Sequence, residues 1–257
     1  MASFPLHLLA IMSVLSLAPL ATAEVIQLRA DVWCPFNCEP KSDKPGYMIE
    51  IAKAALEGNG DTIEYQTLNW ARAISDARDG KYQGIVGAAK SDAPEFSYPT
   101  KSLGRSINCF YVRTDNPWVY KGIDSLKDIS VAVIKDYTYG EPLDEYIKKN
   151  AKNAKKIDVV SGDNPLELNL KKLDAGRVVS YIEDDSVYKN YLLRKGIQPK
   201  VKNAGCLDSS PIYIAFSPKY PRGKELAKKL SDRVESMRKD GSLKKLLDTY
   251  GITDWEK

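Results

Sequence analysis

Two polar loops, each following a short apolar run, carry residues whose types suit them to holding a small molecule. In the first, Lys90 follows the run Gly84-Ile85-Val86-Gly87-Ala88-Ala89; in the second, Glu183-Asp184-Asp185 follows Val178-Val179-Ser180-Tyr181-Ile182. Each run is preceded by a helical pattern that a glycine, Gly80 or Gly176, can end, so each reads as a buried strand of a parallel sheet. Ligands of open α/β sheets sit outside the carboxyl ends of the strands. Two such ends, one per half of the chain, imply a site between two lobes. Tyr137, Thr138 and Tyr139, followed by Gly140, stand between a predicted strand and a helix, where free backbone N–H groups and a hydroxyl can receive a carboxylate. Trp33 and Phe36, on a loop after the first strand, offer aromatic faces to the same region. Tyr47 and Trp70 are further aromatics, but Trp70 lies in a helical apolar stripe and is assigned to the core.

The chain excludes several chemistries. Its only histidine is His7, inside a segment read as a leader, so His-dependent triads, His-ligated zinc and His general bases are not expected of the mature protein, and no cofactor or metal is implied. Residues Met1 to Ala23 contain no Asp, Glu, Lys or Arg, carry an apolar run from Leu8 to Leu17 and end in Ala21-Thr22-Ala23, the pattern cut by signal peptidase. Cleavage after Ala23 and a periplasmic location are expected. That run is too short and interrupted to span a membrane, and no comparable stretch follows. A net charge of +4 spread over 38 basic and 34 acidic residues gives no nucleic-acid footprint. The Lys-rich stretch from Lys148 to Lys156 reads as a solvated helix face.

Four cysteines in an exported chain favour disulfides. Cys34 and Cys38 are close enough to bridge locally, which restricts a loop more than it stabilises a fold. Cys109 and Cys206 either pair or stay buried as thiols. A thiol redox or Cu(I) site at Cys34 and Cys38 is the sharper alternative, disfavoured by the spacing and by the lack of histidine.

These loops must be held by regular elements. Val25 to Val32 reads as a strand; Tyr47, Met48, Ile51, Ala52, Ala55 and Leu56 have helical spacing up to Gly58; Thr62 to Leu68 is a strand; and Trp70, Ala73, Ile74 and Ala77 form a second helical stripe. With the run before Lys90 this is β-α-β-α-β, a parallel sheet. A strand from Ser106 to Val112 follows, after which the unit restarts: strand Ser130 to Ile134, helix Pro142 to Lys149, strand Ile157 to Val160, helix Pro165 to Ala175, strand Val178 to Ile182, helix Ser186 to Lys195. Pro211 to Phe216 is one more strand, with two amphipathic helices after it that return to the first lobe. The strands near Cys109 and Tyr213 are the two crossings and form a hinge. The fold class is α/β with two lobes, residues 24–111 plus 213–257 and residues 112–212, each a mixed, mostly parallel sheet flanked by helices.

Several stretches resemble one family, the periplasmic solute-binding proteins of amino-acid-type ABC transporters (family 3). Pro45-Gly46-Tyr47-Met48-Ile49-Glu50-Ile51-Ala52 is similar to the family's Gly-Tyr/Phe-x-x-Asp/Glu helix, Gly80 to Ala88 to its Gly-Lys-x-Asp strand, and Phe96-Ser97-Tyr98-Pro99 to its Phe-Ser-x-Pro turn. Ser125-Leu126-Lys127-Asp128 with Val131 to Gly140, Gly176 to Asp184, and Gly241-Ser242-Leu243 resemble later family segments in order. The resemblance covers essentially the whole mature chain. It implies a monomer whose lobes close on a small solute by hinge motion and deliver it to an ABC permease, or, in a variant of the theme, report it to a receptor kinase. It also implies an Asp for the ligand's amino group, which Asp184 matches with Glu183 beside it, and an Arg for its carboxylate, which this chain lacks. Lys90 and Arg105 are the candidates to replace that Arg, and Asp184 has a rival role as cap of the helix starting near Ser186. The expected ligand is a small polar, amino-acid-like or carboxylate-containing metabolite. Some relatives in the family are exported dehydratases that act through a cleft carboxylate, and Glu183 is the residue here that matches that alternative.

Overall fold

The computed structural model describes residues 23–57, 60–162, 164–198 and 200–256. The expected leader with His7, and the helix stop at Gly58, lie outside the described residues.

The first half builds the expected parallel unit. Strand β1 (Val25–Ala30) leads through helix α1 (Tyr47–Leu56) to strand β2 (Thr62–Thr67), and through helix α2 (Trp70–Arg78) to strand β3 (Gly84–Ala88), with β1 in parallel register to both. Helix α1 buries Met48, Ile49, Ile51 and Leu56 completely, each contributing roughly 1.5–3 kcal/mol relative to exposure. Strand β4 (Gly104–Ser106) closes this part of the chain. It runs almost directly into β5 (Asn108–Arg113), which belongs to another sheet.

The second unit repeats the first. Strand β6 (Val131–Ile134), helix α3 (Leu143–Asn150), strand β7 (Ile157–Val160), helix α4 (Pro165–Asp174) and strand β8 (Ser180–Asp184) are followed by helix α5 (Asp185–Lys195), which ends on Gly196 in the left-handed conformation, φ 62°. Strand β9 (Val201–Cys206) then pairs with β5 and leads into β10 (Ser210–Phe216), which rejoins the first sheet antiparallel to β3 and β4. Helices α6 (Gly223–Lys239) and α7 (Ser242–Tyr250) pack Leu226, Leu230, Val234, Leu243 and Leu247 on the core formed by α1 and β1.

The result is two five-stranded mixed sheets, β2-β1-β3-β10-β4 and β7-β6-β8-β5-β9, each flanked by helices. Sheet membership changes between Ser106 and Asn108 and again between Cys206 and Ser210. The boundaries expected at residues 111/112 and 212/213 fall a few residues further along β5 and β10. The stretch expected as one strand from Ser106 to Val112 is thus two strands in different sheets, parted at Ile107. Both disulfides form: Cys34–Cys38 within the loop after β1, and Cys109–Cys206 between directly opposed residues of β5 and β9. The second bridge therefore ties together the two strands that flank the crossing.

Candidate functional site

The carboxyl ends of β1, β2, β3 and β6 converge on the gap between the two sheets. Asp31 and Trp33 follow β1, Trp70 opens α2 just after β2, Gly87 to Asp92 form the end of β3 and its loop, and Tyr137 to Gly140 form the loop after β6. Together with Ser106, Asn108, Ser210 and Ile212 at the two crossings, they enclose a cavity. The centre of a water-sized sphere has about 80 Å³ of free space there, several times what one water requires.

Trp33 owes its position to the loop that carries it. Its backbone N–H donates to the Asn37 carbonyl at 2.8 Å, the Asn37 side-chain amide donates to the Asp31 carbonyl at 2.6 Å, and the Cys34–Cys38 bridge closes the turn. Phe36 turns inward, 1% exposed, with its ring 4.4 Å from that of Trp33 and 5.7 Å from that of Tyr47. It supports Trp33 from the core and is not part of the lining. Gly87 explains the close approach on the other side. At φ +87° it takes a conformation that disfavours a side chain, and a Cβ there would stand 3.3 Å from both Asn37 Oδ1 and the Trp33 ring.

Four polar contacts join the loops of the two sheets across the cavity. Tyr137 donates its hydroxyl to Asp31 Oδ2; Thr138 Oγ1 donates to Asp92 Oδ1 at 2.5 Å and lies 3.3 Å from Ser91 Oγ; and Trp33 Nε1 donates to Glu183 Oε1 at 3.3 Å. Trp70 adds an edge-to-face contact with Tyr137, ring centroids 6.4 Å apart. Three of the four polar contacts end on carboxylates. Burial lifts the Asp31 and Asp92 carboxyls to about 6 and that of Glu183 to about 8, against partial relief from the Tyr137, Thr138 and Asp184 donors respectively.

The residues singled out in the sequence divide sharply. Trp33, Tyr137, Thr138 and Tyr139 line the cavity. Lys90 does not: it is exposed, with Nζ 5.3 Å above the Tyr213 ring, while Asp92, two residues on, turns into the cavity. Arg105 is also exposed and donates to Ser209 Oγ at 2.8 Å. Asp184 is fully buried and acts locally, accepting from the backbone N–H of Ser186 and Val187 at 2.8 and 3.1 Å as cap of α5, and from Ile107 at 2.7 Å. Glu183 sits behind Trp33, its Oε1 also accepting the Asp184 N–H at 2.9 Å. Three backbone N–H groups after β6 are already engaged: Tyr139 and Gly140 donate to the two oxygens of Asp144 at 2.8 and 2.9 Å, and Tyr137 to the Ile134 carbonyl. Asp31, Asp92, Ser106, Asn108 and Ser210 escaped the sequence reading. Of these, Asp31, two residues before Trp33 at a strand end, and Asp92, two residues after Lys90 in the loop after β3, had a local signal.

A family model for bacterial extracellular solute-binding proteins, family 3, matches residues 28–253. The chain belongs to that family. A probable amino-acid-binding protein, YxeM of Bacillus subtilis (strain 168), is 24% identical over 225 residues, covering 84% of this chain and 79% of that protein. Among solved structures, an ancestral arginine-binding protein bound to arginine matches with a TM-score of 0.67 at 23% identity, over 88% of this chain and 97% of that one. A histidine kinase sensor domain with similarity to periplasmic binding proteins matches with a TM-score of 0.71 at 19% identity, over 88% and 95%. At these identities the structural likeness bears on the fold alone. No helix among the described residues is long and apolar enough to cross a membrane.

Proposed function

We propose that this family member is exported to the periplasm, captures one small polar solute of amino-acid size between its two lobes, and passes it to an ABC importer. The observation that carries this reading is the cavity itself, enclosed by loops from both sheets at the carboxyl ends of their strands. The lobes would part by bending at Ile107 and at residues 207–209, the two chain segments that cross between the sheets among the described residues. Because the contacts across the cavity join opposite lobes, a solute that touches both walls favours the shut form over the open one. The kinase sensor domain of the same fold makes a receptor the alternative recipient.

The test is a thermal-shift and small-angle scattering screen of the mature chain, stripped of bound solute by unfolding and refolding, against amino acids, amines, sugars and organic acids. A true ligand at a hundredfold excess over its Kd adds about 2.7 kcal/mol of stability and compacts the particle. No response to any class would refute the reading. One observation favours an enzymatic variant: Glu183, held protonated near neutral pH, has the character of a general acid. Trp33 stands between it and the cavity, which weighs for binding, and turnover of prephenate or arogenate would reverse that judgement.

A further inference from the structure

The cavity carries a charge imbalance that its ligand must settle. Asp31 and Asp92 line it, and no Lys or Arg is among the described lining residues. Every donor to the two lining carboxylates is neutral: the Tyr137 and Thr138 hydroxyls, and the backbone N–H of Ala89 to Asp92 Oδ2 at 2.8 Å. Nearby cations face elsewhere: Arg29, two residues before Asp31, pairs with Glu64 at 2.7 Å, Lys90 lies over Tyr213 and Arg105 donates to Ser209. The Ser106 hydroxyl in the lining, on a residue only 4% exposed, leans toward the Asp184 carboxyl without forming a close hydrogen bond. Half-buried carboxylates without a counter-charge carry a desolvation cost, and a bound cation removes it. The faces of Trp33 and Trp70 suit the same kind of guest.

A carboxylate-bearing guest meets the opposite situation. The backbone N–H groups of Tyr139 and Gly140, which a ligand carboxylate would need, are held by Asp144. What remains in the lining are neutral donors: hydroxyls, the Asn108 amide, the Trp70 indole N–H and the backbone N–H groups of Ser91 and Thr138. These cannot offset the repulsion between an incoming anion and Asp31 and Asp92.

We propose that the cleft selects an organic cation, an amine or guanidine without a carboxylate, seated between Asp31 and Asp92 against the indole faces of Trp33 and Trp70. This rests on the solute-binding reading above and names the class of solute.

The experiment uses matched pairs that differ only by a carboxylate. Calorimetric titration of the stripped protein at pH 7.5 compares agmatine with arginine and cadaverine with lysine, with glutamate as the anionic control. The decarboxylated member of at least one pair should bind tenfold or more tightly than its parent amino acid. Asp31→Asn and Asp92→Asn should each weaken that binding at least tenfold while leaving the melting temperature of the empty protein equal or higher. Equal or tighter binding of the amino acid would overturn the proposal, as would wild-type cation affinity in both variants. If the cations fail while an acid, a zwitterion or a sugar raises the melting point and closes the lobes, the proposal falls and the solute-binding reading stands. If nothing in either panel binds, both fall.

Discussion

Replacing Glu183 with Gln tests the electrostatics of the closed cleft without requiring a ligand. Glu183 is 3% exposed and accepts hydrogen bonds from Trp33 Nε1 at 3.3 Å and from the Asp184 N–H at 2.9 Å, both onto Oε1. Burial pushes its carboxyl from 4.5 up to about 8, and neighbouring Asp184 and Asp31 push the same way. The unfolded chain ionises this group at about pH 4.5 while the folded chain holds its proton until about pH 8, so the native state binds more protons throughout that window. Stability from this group is therefore complete below pH 4.5 and is lost as pH rises through 8. Between pH 4.5 and pH 7 the linkage amounts to roughly 3 kcal/mol. Gln keeps the carbonyl acceptor on the same stem and has no proton to lose. Its second amide hydrogen has no evident partner, which offsets about 1 kcal/mol or more of the gain. We expect Glu183→Gln to match or fall slightly below wild type at pH 5 and to exceed it by about 1–3 kcal/mol at pH 8. Urea denaturation at pH 5, 6, 7 and 8, with equal m-values in both proteins, reads this directly. A stability difference that does not change with pH, or a variant less stable than wild type at pH 8, would refute the assignment of Glu183 as a buried, protonated acid.

Other substitutions probe the frame around the site. Asp184→Ala removes the acceptor for three backbone N–H groups, two in α5 and one at the crossing, and should cost about 2–4 kcal/mol by urea denaturation, whereas Asp184→Asn, which keeps the oxygen that caps α5 but turns an NH2 toward the Ile107 N–H, should cost about 1–2 kcal/mol. Opening Cys109–Cys206, which closes a loop with a sequence separation of 97, by double replacement with Ser should cost about 2–5 kcal/mol. Opening Cys34–Cys38, with a separation of 4, should cost less. Tyr137→Phe deprives Asp31 of its donor from the opposite lobe. It should lose about 1.5–3 kcal/mol at pH 8 and less below pH 6, where Asp31 takes up a proton and the bond becomes neutral.

Much of the frame was legible because its signals are local. The stripe Met48, Ile51, Ala52 and Leu56 and the runs ending at Ala88 and Ile182 fix their own elements through periodicity, and two β-α-β-α-β units in succession imply two parallel sheets. Strand β9 was not legible. Val-Lys-Asn-Ala-Gly-Cys has no clean alternation, with Lys202 and Asn203 both exposed, and it exists because it pairs with β5 across the bridge to Cys109. The break at Ile107 was hidden for a related reason, since β4 and β5 are both extended and differ only in which sheet accepts them.

The site was less legible than the frame because a loop's side chains face the way its turn dictates, and two residues of offset reverse the charge presented. In Ala89-Lys90-Ser91-Asp92 the carboxylate of Asp92 accepts the Ala89 N–H and folds the turn back on itself, the Tyr98 hydroxyl ties down the carbonyls of Ala89 and Ala93, and Lys90 is left on the outer side. The residue type at the position next to the strand suggested a cation in the cleft; the turn puts an anion there. At the matching place in the second sheet, Asp184 closes the backbone of α5 and only Glu183, through Trp33, stays coupled to the cavity. Both substitutions of role act in one direction, leaving acids without bases between the sheets. The chemical preference of the cleft is therefore set by two turns, which decide the charge it presents while both sheets stay the same.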